Sequence, residues 1–118
     1  MSAESDFREI SNYEKRVIDL LLAEEFPGRD ELRKQVERCR VRTVDDEGSI
    51  EIEPSLRVQA PVMKTVPVEA YAEDSDGVMV HVLLHIKDGI AVELEFYKDD
   101  SSRILSRPNQ WQVMVLPK

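Results

Sequence analysis

The apolar positions of this chain change period once, near residue 40. Upstream they recur at three- and four-residue spacing, and downstream they alternate, which predicts helices followed by strands. Tyr13, Val17, Leu20 and Leu21 fall at i, i+4, i+7 and i+8, and Ile18 and Leu22 widen the stripe. Ser11-Asn12-Tyr13-Glu14 has the form of a capping box, so a first helix is expected from Ser11 to about Glu25. Phe26-Pro27-Gly28 stops it, because proline disfavours helical geometry in the residue before it and glycine accepts a left-handed turn. A second helix is expected near Asp30 to Arg38, with Leu32, Val36 and Cys39 on one face. It is too short to stand alone and must pack on a sheet.

From Arg40 the period is two. Arg40 to Val44 and Ser49 to Glu53 flank the turn-rich joint Asp45-Asp46-Glu47-Gly48 and read as a hairpin. Pro54 and Pro61 restrict the chain that follows, and Gln59 to Thr65 reads as a crossing loop. Val66 to Glu73, Val78 to Ile86 and Ile90 to Lys98 are three further strands, and Pro67 confines the first of them at its start. Gln112 to Leu116 has the pattern of a short edge strand that Pro117 would end. The expected fold is α+β: two N-terminal helices packed on a mainly antiparallel sheet of about five to six strands. At 118 residues the chain is expected to be a single domain, with residues 1–9 flexible, 11–39 helical, 40–98 in the sheet and 101–118 a tail.

The two longest strands set a register problem. Val78, Val80, Val82, Leu84 and Ile86 form one alternating set, and Ile90, Val92, Leu94 and Phe96 another. A slip of one residue would turn either set into water. Pairing Ile86 with Ile90 keeps both sets inside and leaves Lys87-Asp88-Gly89 as a loop ending on glycine. A two-residue Asp88-Gly89 turn would place Leu84 opposite Glu93, and is rejected on that ground. In the chosen register Val82 faces Leu94, Val80 faces Phe96, His81 faces Glu95, and Leu83 faces Glu93. Pairing Ala72 with Val78 brings Glu69 opposite His81 from the other side. A row Glu69–His81–Glu95 is therefore expected on the outer face, with Tyr71 and Glu93 nearby.

Charge narrows the function. The net charge is −8, with 24 acids against 16 bases. The bases gather at residues 28–43, six against three acids, and at 101–118, three against none. Such a surface repels phosphate backbones, so no direct nucleic-acid binding is expected. It attracts a basic partner. No apolar run reaches the roughly 18 residues that span a bilayer, and MSAESDFREI has neither the basic start nor the apolar centre of a signal peptide. No membrane association is expected, and a cytoplasmic location is. Cys39 is the only cysteine, which rules out an intrachain disulfide; it reads as a small buried hydrophobe.

A histidine between carboxylates is a candidate acid–base group or metal ligand. On an antiparallel sheet the same arrangement is more often a cross-strand charge pair. His85 shares the face but lies four residues along the strand, roughly 13 Å away, too far for both histidines to hold one ion. Asp74-Ser75-Asp76-Gly77 opens like an EF-hand, but Met79 and His85 stand where glycine and glutamate are required. No Gly-rich phosphate loop, Gly-x-Ser-x-Gly elbow or His-Glu-x-x-His is present. No catalytic residue, metal ligand or cofactor is assigned. Trp111 is expected to pack the tail on the domain, and Arg33, Arg38, Arg40 and Arg42 to be solvated or paired with the acidic joint.

Three segments carry a resemblance: LLxxxFPGxxxLRxQ at 21–35, Gly48-Ser49-Ile50 at a strand start, and DGVxVxVLLHxxDGxxxELEFY at 76–97. Together they resemble a family of small, mostly uncharacterised bacterial α+β proteins. Some such families look like immunity proteins of contact-dependent growth-inhibition or polymorphic toxin systems. The resemblance implies a non-catalytic acidic protein that binds and neutralises a cognate toxin, its partner a basic nuclease domain. Candidate contact residues are Asp45, Asp46, Glu47, Glu69, Tyr71, His81, Glu93 and Glu95. The alternatives are a small enzyme or metal protein built on His81 with Glu69 and Glu95, or a domain with no ligand.

Overall fold

In a computed structural model describing residues 6–116, the helical period becomes α1 (Asn12–Leu21) and α2 (Arg29–Val36). Ser11 is extended; its hydroxyl accepts from the Glu14 N–H at 3.1 Å, and the Glu14 carboxylate accepts from the Ser11 N–H at 2.9 Å. The expected capping box is closed. The helix stops at Leu21, short of Glu25. Arg29 explains the early stop: its guanidinium donates to the carbonyls of Leu22, Ala23 and Glu24 at 3.1, 3.3 and 3.4 Å, satisfying groups that another helical turn would otherwise have used. Gly28 precedes α2 at φ 92°, and a Cβ there would lie 2.7 Å from Val62 Cγ1, so the residue answers both a turn and a close approach.

The alternating region forms β2 (Arg40–Thr43), β3 (Ile50–Glu53), β4 (Val68–Glu73), β5 (Met79–Lys87) and β6 (Ile90–Lys98). Two short strands complete the sheet, β1 (Arg8–Glu9) and β7 (Gln112–Val115). The order is β1-β2-β3-β6-β5-β4-β7 and every pair is antiparallel. The protein is therefore α+β as expected, but the sheet has seven strands rather than five to six. The additional one is β1, inside the segment 1–9 expected to be flexible. Arg8 holds it there by two 2.9 Å bonds to the Glu14 carboxylate, and Arg40 donates to the Phe7 carbonyl at 2.6 Å. Residues 1–5 of that segment, and Pro117 as a strand stop, lie outside the described residues.

Both helices pack on one face of the sheet. Leu21, Leu22 and Leu32 meet Val68, Val82, Leu84 and Leu94 in a single core that also takes in Cys39. Each fully buried leucine contributes roughly 2 kcal/mol of transfer free energy, more than a typical exposed ion pair. Gln35, wholly buried on α2, donates to the carbonyls of Val58 and Gly89 at 2.7 and 2.8 Å and accepts from the Ala91 N–H at 2.8 Å. One side chain thus ties α2, the crossing loop and the β5–β6 hairpin together.

That hairpin corrects the expected register. Lys87 pairs with Ile90 around a two-residue turn, Asp88 at φ 53° and Gly89 at φ 78°. Two left-handed residues make the turn that best matches strand twist. The objection to it, Leu84 facing Glu93, is removed by a bulge. Ile86 pairs with Ala91 and His85 with Glu93, so Val92 is the extra residue. Beyond it Leu84 faces Leu94, Val82 faces Phe96, and Val80 faces Lys98. Ile90 and Val92, expected in the core, are only half-buried, and Ala91 is buried in their place. The β4–β5 register is also two residues from the expected one: Ala72 pairs with Val80.

Candidate functional site

With the helices on one side, the other face of the central strands carries the side chains of opposite parity. Register lays them out in rows. One row runs Arg42, Glu51, Glu93, His85; the next Glu95, Leu83, Glu69, Met114; the next Tyr97, His81, Tyr71, Gln112. The expected row Glu69–His81–Glu95 does not form. His81 stands opposite Tyr71 and Tyr97 instead, because both neighbouring registers are displaced by two residues. Its ring stacks on Tyr97 with centroids 4.8 Å apart and planes at 10°, and Tyr71 lies on the other side at 6.5 Å.

Both histidines have a carboxylate, and that of His81 is not one of the two expected. His81 Nε2 is 2.6 Å from Asp99 Oδ1, and His85 Nε2 is 2.7 Å from Glu95 Oε1. Arg42 pairs with Glu51 rather than with the acidic joint at 45–47. Among the described residues no group of three or more His, Cys, Asp and Glu side chains is placed to hold a metal ion. The geometry of the enzyme or metal alternative, which needed Glu69 and Glu95 around His81, is not present.

The field over this face is negative. Burial pushes the Tyr97 phenol above its ordinary pKa, and the charges of Glu69, Asp99 and Glu95 push it further. Apolar surface lies among the acids: Tyr97 is 38% exposed and Met114 43%, and Leu83 is half-buried between them and the carboxylates. The face offers aromatic and aliphatic area interleaved with carboxylates. Apolar area beside carboxylates gives this face the mixed character of an interface core with a charged surround.

Of the eight candidate contact residues, Glu69, Tyr71, His81, Glu93 and Glu95 share this face. Asp45, Asp46 and Glu47 form the tip of the β2–β3 hairpin instead. Asp45 closes the tip by accepting from the N–H groups of Glu47 and Ser49 at 2.9 and 3.0 Å. Asp46 is exposed, and Glu47 turns toward the helix layer. Sequence reasoning missed Tyr97 and Asp99, since both follow from a register that the bulge decides.

It also missed what holds the tail. Lys98 occupies a core-parity position and is 2% exposed. Its ammonium donates to Asp74 and Asp76, each at 2.8 Å, and to the Arg103 carbonyl at 3.1 Å. Asp74 in turn accepts from the N–H groups of Ser75, Leu105 and Ser106 and from the Ser106 hydroxyl. The hydrogen bond from Lys98, helped by these donors, holds the Asp74 carboxyl far below the usual carboxylate range. Desolvation opposes the charge on Lys98, but its two carboxylates outweigh that and raise its pKa. The loop Asp74-Ser75-Asp76 is thus a clamp that leads residues 101–111 to Trp111, whose ring lies 6.2 Å from that of Phe96. The sequence signal was present: a lysine continuing the parity of Leu94 and Phe96 requires a buried counter-charge.

A family model described as a domain of unknown function, DUF6984, matches residues 7–108. No curated protein and no solved structure matches the chain.

Proposed function

The chain belongs to the DUF6984 family, whose description carries no activity, and we propose that it is a non-catalytic binding protein that neutralises a cognate bacterial toxin as an immunity protein. The partner is a basic nuclease domain, met in the cytoplasm by the open sheet face. The observation that carries this reading is that face: Tyr97, His81 and Tyr71 side by side in one row, with Tyr97 stacked on His81, Glu69, Glu93, Glu95 and Asp99 near them and no helix over them among the described residues. Aromatic anchors beside charge suit a specific interface, and negative charge suits a basic substrate groove. The resemblance in segments 21–35 and 76–97 supports the toxin-system assignment, and the net charge of −8 supports the sign of the partner.

Co-purification with the product of the adjacent upstream gene tests the proposal. The wild-type chain is expected to bind it and to rescue growth when the two are co-expressed. The variant Glu69→Lys/Glu95→Lys is expected to bind at least about tenfold more weakly, since like charges would then meet across the interface. If no partner co-purifies, and deleting the gene leaves growth beside the neighbouring gene unchanged, the proposal fails. If a partner binds but ignores the charge reversal, the open face is the wrong surface.

A further inference from the structure

The helix side of the sheet holds a second feature, independent of the open face. A cavity of about 60 Å³ lies where the β2–β3 tip, α1 and residues 104–108 meet; Tyr13, Phe96, Val80 and Ile104 form its walls. Its volume corresponds to about two water molecules at liquid density, far less than an ordinary ligand cleft. Two carboxylates reach it, Glu14 and Glu47. They differ in one respect. Glu14 is matched by Arg8, whose guanidinium, with Ser11, holds its carboxyl below the ordinary range although burial alone would raise it. Glu47 has no such match: its Oε2 is fully buried, and no described residue donates a hydrogen bond to it.

A buried carboxylate oxygen without a donor costs stability, and this one is held in place by the turn. Asp45 accepts from the Glu47 N–H and the Ser49 N–H, which fixes the backbone of the turn from which Glu47 reaches the cavity. Arg107 also lines the cavity, but its guanidinium lies over the Tyr13 ring, 5.2 Å from the centroid, and makes no ion pair with Glu47. The aromatic wall is already used there as a cation platform. A carboxylate, walls that include the stacked Tyr13 and Phe96, and a volume of this size together suit one ligand chemistry.

We propose that the cavity takes a single organic cation headgroup, an ammonium or guanidinium, with Glu47 as its counter-ion and Tyr13 and Phe96 as its walls. The headgroup is carried either by a free small amine or by a lysine or arginine side chain of a protein partner. A titration followed by NMR at the amides of Tyr13, Gly48 and Phe96 tests it, using methylammonium, methylguanidinium and capped tripeptides with a central lysine or arginine. The expected result is saturable shifts with a millimolar dissociation constant for at least one bare headgroup. Glu47→Gln is expected to weaken that at least about tenfold. Ile104→Phe, which fills the cavity without touching the charge, is expected to abolish it even if the Glu47 variant folds poorly. Arg107→Gln is expected to retain or tighten it. A peptide that binds tenfold tighter than its headgroup assigns the site to a protein side chain; equal binding assigns it to a free amine. The proposal is overturned if neither the wild type nor Arg107→Gln shows saturable shifts, or if the shifts survive in Glu47→Gln. Toxin binding at the open face would be unaffected by either result.

Discussion

Lys98 and Asp74 are the residues on which the tail depends. Lys98 is 2% exposed and Asp74 4%, so removing Lys98 leaves the Asp74 charge buried without a counter-charge, and removing Asp74 leaves Lys98 with only the partly exposed Asp76. Lys98→Met alone is expected to lower the urea midpoint markedly, while Lys98→Met/Asp74→Asn recovers much of the loss. Equal midpoints for the single and double variants would show that the two are not coupled. The pair also makes stability depend on pH. The folded-state pKa of Asp74 lies below its unfolded value near 3.9, so its contribution is complete at neutral pH and falls away as pH drops through that value toward the displaced one. Wild-type stability is expected to decline below about pH 4 and to keep declining as the pH falls further, and the double variant to decline less over the same range. Parallel declines, measured by urea unfolding at each pH, would place the acid sensitivity elsewhere.

The β5–β6 hairpin shows how an element can satisfy two rules that conflict in the sequence. Asp88-Gly89 is the stronger turn signal, and Leu84 with Leu94 is the stronger packing demand. A regular ladder cannot meet both, and the bulge at Val92 does. It follows that Val92 is removable. Deleting it leaves Ile86 opposite Ala91 and Leu84 opposite Leu94, so the shortened chain is expected to fold with its stability within roughly 2 kcal/mol of wild type. Deleting Val82 instead reverses the faces of half of β5 and is expected to prevent folding. Circular dichroism and urea unfolding of the two deletions distinguish them, and an unfolded Val92 deletion would show that the bulge shapes the strand as well as correcting its register. Gly89 has a second duty, since its carbonyl accepts from Ala60 at 2.9 Å and an added Cβ would lie 3.0 Å from the Ala60 backbone.

At the scale of the molecule, the asymmetry of the sheet matters most. Both helices lie on one face, and the thinnest dimension is 21 Å, one helix layer on one sheet layer. The uncovered face places several of the acids behind the net charge of −8, among them Glu51, Glu69, Glu93 and Glu95, side by side. Association with the proposed basic partner is therefore expected to be steered electrostatically. Raising ionic strength from about 20 to about 500 mM should slow association at least about tenfold, with a much smaller change in dissociation. Stopped-flow rates that hold steady across that range would remove charge steering from the account. Among the described residues no helix is long and apolar enough to cross a membrane.

Side-chain pattern alone settled the period of each segment, the capping box at Ser11, every central strand to within two residues at either end, and the partition of Leu84, Leu94 and Phe96 to the core, while the end of α1 at Leu21 was left to Arg29. These are local: they follow from side chains a few positions apart and from the fixed periods of helix and strand. What faces His81 was decided elsewhere. A single unpaired residue in β6 and a two-residue offset against β4 replaced Glu69 and Glu95 with Tyr71 and Tyr97, and handed the histidine to Asp99. The same holds for β1, tied down by Arg8 to Glu14 and by Arg40 to Phe7, and for Lys98 in its clamp. Parity along a strand survives a shift of two residues, whereas the identity of the cross-strand neighbour does not, and only the assembled sheet sets that shift.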